Sequence, residues 1–154
     1  MKRVVEKLIE NNKTISTMES CTGGALSNAI TNIPNASKVI KFSAVTYSNE
    51  FKIKMGVSKE LIDKYSVYSM EVANDMAKSI VSYTNSSYGV GITGKLKKID
   101  ENNLFGDDDL VYLSIYDSIT GKYYNKKIKL AFDTRSDNKN QIISEFVDLF
   151  LNII

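Results

Sequence analysis

Residues 14–33 read TISTM, ESCTGG and ALSNAITNI in succession, and this stretch is the most informative about the fold. Its first five residues alternate between polar and apolar side chains, which is typical of a β-strand. The last nine residues place a set of apolar side chains on one helical face, namely Ala25, Leu26, Ala29, Ile30 and Ile33. The glycine-containing segment between them is short enough to form a tight turn. The stretch therefore predicts a strand, a tight turn and a helix.

The rest of the chain continues this alternation of helices and strands. Pro34, the only proline, is expected to end the helix that follows the turn. The other predicted elements are a helix over 2–12, a strand over 39–47, a short helix over 49–55, helices after the N-cap residues Ser58 and Ser69, a strand over 88–93, a hairpin around 118–121 and a last helix from about 137 to 154. Since no repeat or linker divides the pattern, we predict one α/β domain over residues 1–154.

Composition and net charge limit the classes of partner that this domain is expected to bind. The 154 residues are 43% hydrophobic and 25% charged, as in ordinary globular proteins. The 20 basic residues nearly balance the 18 acidic residues, and the net charge of +2 gives no strong field for a nucleic-acid backbone or an anionic membrane. No segment approaches the roughly 20 apolar residues of a membrane span. We therefore expect a cytoplasmic protein without nucleic-acid or membrane partners.

The counts of histidine and cysteine restrict the chemistry. The sequence has no histidine and a single cysteine, Cys21. Internal disulfides, Cys/His zinc sites and histidine-dependent triads are therefore excluded. Any nucleophile in this chain needs lysine or tyrosine as its base.

The turn at 20–24 is the strongest candidate site. Ser20, Cys21 and Thr22 carry nucleophile-capable side chains, and Gly23 and Gly24 allow the backbone to approach a ligand closely. Converging backbone N–H groups at such a turn can hold an anion. The alternative interpretation is a helix N-cap followed by a turn that tolerates glycine. Sequence spacing leaves both interpretations open.

Two candidate bases follow the second predicted strand. Tyr47 and Lys52 reach the turn if the two strands are neighbours in the sheet. Lysine acts as a base only where burial or nearby cations favour its neutral form. The alternatives are a strand residue for Tyr47 and a solvated helix charge for Lys52. Cys21 is expected to be buried and unreactive, because nothing beside it generates a thiolate.

Two further motifs bear on phosphate or anion binding. Residues 89–96 read GVGITGKL, but Leu96 stands where a phosphate-binding P-loop needs Ser or Thr, so we reject a P-loop here. Arg135 lies just before the last helix, where it suits a phosphate or carboxylate, or is an ordinary surface charge. Ser136 or Asp137 is expected to cap that helix.

Three segments together resemble a known family. They are ESCTGG at 19–24, YSNEFK at 47–52 leading to MGVS at 55–58, and SMEVANDMA at 69–77. In order and spacing they are similar to the CinA C-terminal domain, the nicotinamide-nucleotide amidohydrolase (PncC-type) family, also called competence/damage-inducible. The resemblance covers nearly the whole chain. It implies a three-layer α/β/α sandwich with a mixed sheet and a homo-oligomer. The chain has no room for the molybdopterin-binding-like domain of longer members, so we expect a stand-alone member.

The resemblance also implies an activity. It is that of a metal-independent serine amidohydrolase without a cofactor, which converts nicotinamide mononucleotide into nicotinic acid mononucleotide and ammonia, recycling pyridine nucleotides into NAD. By position, Ser20 is the nucleophile, and Tyr47 and Lys52 handle the proton, with the choice of base between them open. The alternatives are a catalytically weak nucleotide-binding or regulatory module, or an amidase for a related substrate.

Substrate-binding residues are carried over in the same way. They are Thr22, Gly23, Gly24, Thr93, Arg135 and Lys139. Arg135 is assigned to the phosphate or ribose side of the nucleotide, in place of a surface charge. The sequence departs from the family at 91–103, where GITGKLKKIDENN replaces the usual T-G-x-A-G-P and glycine-rich loop. The pocket wall is expected to differ there.

Overall fold

A five-stranded sheet organises the chain in the computed structural model, which describes residues 1–97, 101, 104 and 106–154. The strands are β1 (Ile15–Glu19), β2 (Ile40–Val45), β3 (Tyr88–Gly94), β4 (Leu110–Asp117) and β5 (Lys122–Lys129). Their order is β2-β1-β3-β4-β5. β1 is parallel to β2 and β3, whereas β4 and β5 are antiparallel to their neighbours. The predicted mixed sheet is therefore confirmed.

The helices match the predicted positions to within a few residues. They are α1 (Lys2–Glu10), α2 (Ala25–Thr31), α3 (Asn49–Lys54), α4 (Lys59–Tyr65), α5 (Met70–Thr84) and α6 (Arg135–Leu151), with a 3-10 turn at Ala36–Lys38. Ser58 and Ser69 cap α4 and α5, since their hydroxyls accept hydrogen bonds from the amides of Leu61 and Val72. In the described part of the chain, no helix is both long and apolar enough to cross a membrane.

The start of the last helix differs from the prediction. Thr134, rather than Ser136 or Asp137, is the N-cap of α6. Its hydroxyl accepts a hydrogen bond from the Asp137 amide at 3.1 Å and donates one to the Asp137 carboxylate at 2.6 Å. This reciprocal pair satisfies the helix end two residues earlier than predicted. Arg135 therefore lies inside the first turn of α6.

Helices cover both faces of the sheet. On one face α5 packs directly on β3, because a Cβ at Gly91 would lie only 2.2 Å from the Ala73 carbonyl oxygen. Met18 and Met76 are fully buried in the core on this side. The opposite face is covered by α1, α2 and α6, with Phe146 fully buried. The sandwich has the predicted three layers.

The segment after β3 is not a P-loop. Residues 95–97 continue without helix. The buried amine of Lys95 donates to the Gly106 carbonyl at 2.9 Å and to the Asp108 carboxylate at 3.0 Å. Within the divergent 91–103 segment, residues 98–100, 102 and 103 lie outside the described residues. The expectation of a different pocket wall therefore stays a prediction there.

Two residues of this segment adopt backbone angles that favour glycine. Leu96 and Lys97 have φ of 53° and 57°. Lys97 is exposed at the surface. Its amide nevertheless donates to the Asp108 carbonyl at 2.7 Å, which fixes the backbone there. An L residue in this left-handed region costs roughly 1–2 kcal/mol.

Lys97→Gly is expected to raise the free energy of unfolding by about 0.5–1 kcal/mol. Removing the Cβ relieves the left-handed strain, which exceeds the entropy that glycine adds to the unfolded chain. Urea unfolding measures the difference. Lys97→Ala is the control, because it also removes the amine 3.9 Å from Asp133 but keeps the strained Cβ. Equal stability of the two variants would show that the conformation is not strained.

Candidate active site

Ser20 lies where β1 ends at the carboxyl edge of the parallel strands. Its amide donates to the Ile92 carbonyl at 3.0 Å, so the residue is still tied to the sheet. The Gly23 amide donates to the Ser20 carbonyl at 3.0 Å and closes the turn. Gly23 and Gly24 have φ of 62° and 92°, which explains why both positions are glycine. Ser20 is 6% exposed.

Lys52 is the side chain that meets Ser20. Although the residue lies on a short helix between exposed neighbours, it is only 1% exposed. Its Nζ lies 3.0 Å from Ser20 Oγ and donates to the Thr46 carbonyl at 2.7 Å. The alternative of a solvated helix charge for Lys52 is therefore wrong.

The pairing of β1 with β2 accounts for this contact. Glu19 pairs with Val45, so the two strands end together. The Thr46 amide donates to the Glu19 carbonyl at 2.8 Å and extends the pairing by one residue. Ser48 then caps α3, with its hydroxyl accepting from the Phe51 amide at 3.3 Å. Lys52 lies in the last turn of that short helix, and its amine contacts Ser20 and Thr46 at the ends of the two strands.

The Ser20 and Lys52 side chains form a pair that can transfer a proton. Lys52 Nζ, at 3.0 Å from Ser20 Oγ, is within hydrogen-bond reach of the hydroxyl proton. The arrangement can therefore generate a serine nucleophile without histidine.

Cys21 does not compete with Ser20 as a nucleophile. The residue is 3% exposed, as expected from the sequence. Burial raises the pKa of the Cys21 thiol to about 12. The sulfur is therefore protonated at neutral pH and is a poor nucleophile.

Glu19 begins the ESCTGG motif at 19–24, but the sequence alone predicts no role for it. The residue is fully buried, and its carboxylate accepts hydrogen bonds from three backbone amides. These are the amides of Gly24 and Leu26, both at 3.1 Å, and of Ser27, at 2.8 Å. The only signal in the sequence is an acidic residue shortly before a helix. Because the Glu19 carboxylate accepts from these three amides, they are not available to an external anion.

Other hydrogen-bond donors of the 20–24 turn are not bonded to Glu19. Within the described part of the chain, the Thr22 amide has no hydrogen-bond acceptor, and the Cys21 amide has none beyond the thiol of its own residue. The Thr22 hydroxyl oxygen is buried and also lacks a partner among the described residues. Buried donors without partners are uncommon and indicate a role. These groups directly follow Ser20 and are the candidate donors for an oxyanion.

Two cations of α6 lie beside the turn. Lys139 Nζ is 3.4 Å from the position that a Cβ on Gly23 would take. Arg135 Nη2 donates to the Tyr47 hydroxyl at 3.4 Å, and its Nη1 lies 3.5 Å from the carbonyl oxygens of Lys95 and Leu96. Cations at a helix N-terminus are opposed by the helix dipole. The location of Arg135 in the first turn of α6 therefore does not stabilise that helix.

Two other predicted site residues, Tyr47 and Thr93, make their hydrogen bonds to groups other than Ser20 Oγ. Tyr47 is 65% exposed, and its hydroxyl contacts Arg135. Thr93 is fully buried, and its hydroxyl donates to the Val67 carbonyl at 2.9 Å. No three His, Cys, Asp or Glu side chains cluster as metal ligands in the ranges that the structure describes. The structure thus brings Lys52 to Ser20, Lys139 to the glycine turn and Tyr47 to Arg135.

Comparison with known proteins finds relatives along the whole chain. The family model described as the CinA C-terminal domain matches residues 1–151. A Clostridium acetobutylicum protein, named putative competence-damage inducible protein, is 37% identical over 92% of this chain and 34% of its own length. A CinA-like protein of Endomicrobium trichonymphae is 36% identical over 92% of this chain and 32% of its own length. The chain spans about a third of the length of these curated relatives.

Solved structures share the fold at lower identity. A competence-damaged protein (CinA) superfamily protein from Escherichia coli matches with a TM-score of 0.90 and 22% identity, over 99% of this chain and 87% of that one. The competence/damage inducible protein CihA from Agrobacterium tumefaciens matches with a TM-score of 0.84 and 23% identity, over 96% and 91%. These likenesses agree with the α/β sandwich described above. With the family model matching residues 1–151, the chain belongs to the CinA C-terminal domain family.

Proposed function

We propose that this domain is a serine amidohydrolase that converts nicotinamide mononucleotide and water into nicotinic acid mononucleotide and ammonia. The observation that carries the proposal is the buried Lys52 amine, 3.0 Å from Ser20 Oγ. The family resemblance supplies the substrate, and the cations beside the turn support an anionic one. The proposed biological role is recycling of pyridine nucleotides into NAD.

The first half of the reaction forms an acyl-enzyme. Ser20 Oγ bonds to the carboxamide carbon while its proton passes to Lys52 Nζ, and the carbonyl electron pair moves to oxygen. The amides of Cys21 and Thr22 donate hydrogen bonds to that oxyanion, at about 2.7–4 kcal/mol for each such donor in known hydrolases. Lys52 then returns the proton to the departing nitrogen. The C–N bond breaks and ammonia leaves.

The second half hydrolyses the ester. A water oxygen attacks the acyl carbon and gives a proton to Lys52. The C–Oγ bond then breaks, and this proton returns to Ser20 Oγ as the carboxylic acid leaves. One water is consumed and one ammonia released, so the enzyme ends in its starting state.

The contacts favour Lys52 over Tyr47 as the base. Lys52 Nζ is oriented by the Thr46 carbonyl and lies within hydrogen-bond distance of Ser20 Oγ. The Tyr47 hydroxyl instead contacts Arg135. We propose that Tyr47 orients the guanidinium toward the phosphate or ribose of the substrate. Lys139, on the next turn of α6, adds a second positive charge.

Ammonia release tests the proposal directly. Purified protein is expected to release ammonia from nicotinamide mononucleotide faster than from nicotinamide riboside, and EDTA is expected to leave the rate unchanged. Arg135→Met is expected to raise KM for the nucleotide roughly tenfold to a hundredfold, because a hydrogen bond to a charged group contributes about 1.5–3 kcal/mol. The riboside rate should be unaffected by this change. Arg3→Met, at the only other arginine, is the matched control.

Two other results would contradict the proposal in different ways. A nucleotide that raises the melting temperature without releasing ammonia would indicate a binding or regulatory module. Ammonia release from another amide, but not from the nucleotide, would indicate an amidase with a related substrate.

A further inference from the structure

Glu19 is a fully buried carboxylate one residue before the proposed nucleophile. The reaction proposed above gives it no step. We propose that Glu19 is a positioning residue that sets the 20–24 turn, so that the amides of Cys21 and Thr22 remain available to the oxyanion. This inference rests on the proposed serine chemistry at Ser20.

The carboxylate divides the backbone donors of the turn into two sets. One set, the amides of Gly24, Leu26 and Ser27, is bonded to Glu19 at 2.8–3.1 Å. The other set, the amides of Cys21 and Thr22, has no acceptor among the described residues apart from the Cys21 thiol, which its own amide contacts. The open donors are thus those nearest Ser20.

Glu19 itself is held firmly. Its main chain pairs with both neighbouring strands, opposite Val45 and Ile92. The Thr17 hydroxyl lies 3.3 Å from Glu19 Oε1 and 2.8 Å from the Ser43 hydroxyl, which adds a lateral hydrogen bond. The main chain of Glu19 is fixed in the sheet and its carboxylate is bonded to the turn. Glu19 therefore holds the turn that carries Ser20 at a fixed position relative to the sheet.

Helix capping alone does not account for this arrangement. A serine or aspartate directly before α2 would satisfy the helix amides without burying a charge on the strand. Here the N-cap position is Gly24, whose own amide is one of the three donors to Glu19. The carboxylate therefore fastens the turn to β1 across the residues between them. Misplacement of a reacting group by about 1 Å can lower a rate about 100-fold.

Glu19→Gln removes one acceptor while nearly preserving size and shape. One carboxylate oxygen becomes an NH₂ group, which faces backbone donors instead of accepting from them. We expect kcat for ammonia release to fall by about tenfold to 100-fold, with KM for the nucleotide changed less than about twofold. A purely structural role would lower the melting temperature and leave kcat per folded molecule unchanged.

The experiment measures two rates at a temperature where every variant is folded. The first is ammonia release from nicotinamide mononucleotide. The second is labelling of Ser20 by an alkyl fluorophosphonate, followed by mass spectrometry, in which the Oγ–P bond forms, fluoride leaves and the proton passes to Lys52. Ile115→Ala is the matched control, because Ile115 is fully buried on β4 away from the turn.

The two readouts separate the two proposals. Slow labelling and low kcat in Glu19→Gln, with both near normal in Ile115→Ala, support the positioning role. Labelling that is slowed by Glu19→Gln in a protein that releases no ammonia keeps this role and rejects the substrate. Normal labelling and kcat in Glu19→Gln, or no labelling of Ser20 in the unmodified protein, overturn the positioning role. If Glu19→Gln does not fold, Glu19→Asp is judged by the same criteria.

Discussion

Replacing Lys52 by methionine is expected to lower kcat for amide hydrolysis by about 10²–10⁴-fold, the usual contribution of general acid–base catalysis. The variant removes the amine that lies 3.0 Å from Ser20 Oγ and keeps an unbranched side chain in the same space. Without the amine, the hydroxyl proton has no acceptor at that position and the leaving nitrogen has no donor. Steady-state kinetics with the nucleotide measures the loss.

The same substitution is expected to leave the protein at least as stable as before. Lys52 is only 1% exposed, so its replacement removes the desolvation cost of a buried amine, which offsets the loss of the hydrogen bond to the Thr46 carbonyl. Loss of activity together with an unchanged or higher melting temperature would identify a group kept for chemistry. Lys54→Met is the control, since Lys54 lies on the same helix but is exposed and pairs with Glu50. An active Lys52→Met protein would remove Lys52 from the mechanism.

Ser20→Ala is expected to lower kcat by at least about 10⁴-fold, as loss of the nucleophile does in serine hydrolases. The fold should persist, because the Ser20 backbone bonds to Ile92 and Gly23 do not involve the side chain. Cys21 should not rescue the reaction, since burial raises the pKa of its thiol to about 12. Ammonia release and thermal unfolding, measured on the same preparation, check both expectations.

Ser58→Ala provides the opposite pattern to Ser20→Ala. Ser58 caps α4 by accepting from the Leu61 amide at 3.3 Å, and losing such a cap costs about 1 kcal/mol of stability. This variant should be less stable and fully active, whereas Ser20→Ala should be stable and inactive. Retained turnover in Ser20→Ala would rule out the acyl-enzyme at that residue.

Much of the fold could be predicted because its signals are local. Ser58 and Ser69 each precede a helix that they cap, and the glycines at 23 and 24 adopt the left-handed angles that the turn needs. The N-cap of α6 was harder to predict, because Thr134, Ser136 and Asp137 are all good N-cap residues within four positions. Local propensity did not choose among them, whereas the reciprocal bond between Thr134 and Asp137 did.

The site was only partly predictable because its decisive contacts are not local. Lys52 and Lys54 lie on the same short helix and look equivalent in sequence, yet one is buried against Ser20 and the other is exposed. The difference arises from the parallel pairing of β1 with β2. The contacts of Glu19 were equally hard to predict, since they depend on how the 20–24 turn folds back over β1. The contact between Arg135 and Tyr47 joins residues 88 positions apart.

The buried, protonated thiol of Cys21 has a consequence for the chemical environment that the site tolerates. Peroxides attack sulfur in proportion to its thiolate character and exposure, and both are minimal here. The chain also has no histidine for copper or zinc ions to capture. The proposed catalytic pair, a serine and a lysine, offers neither target, so we expect the proposed activity to persist under oxidative or metal stress that inactivates thiol- and imidazole-dependent hydrolases.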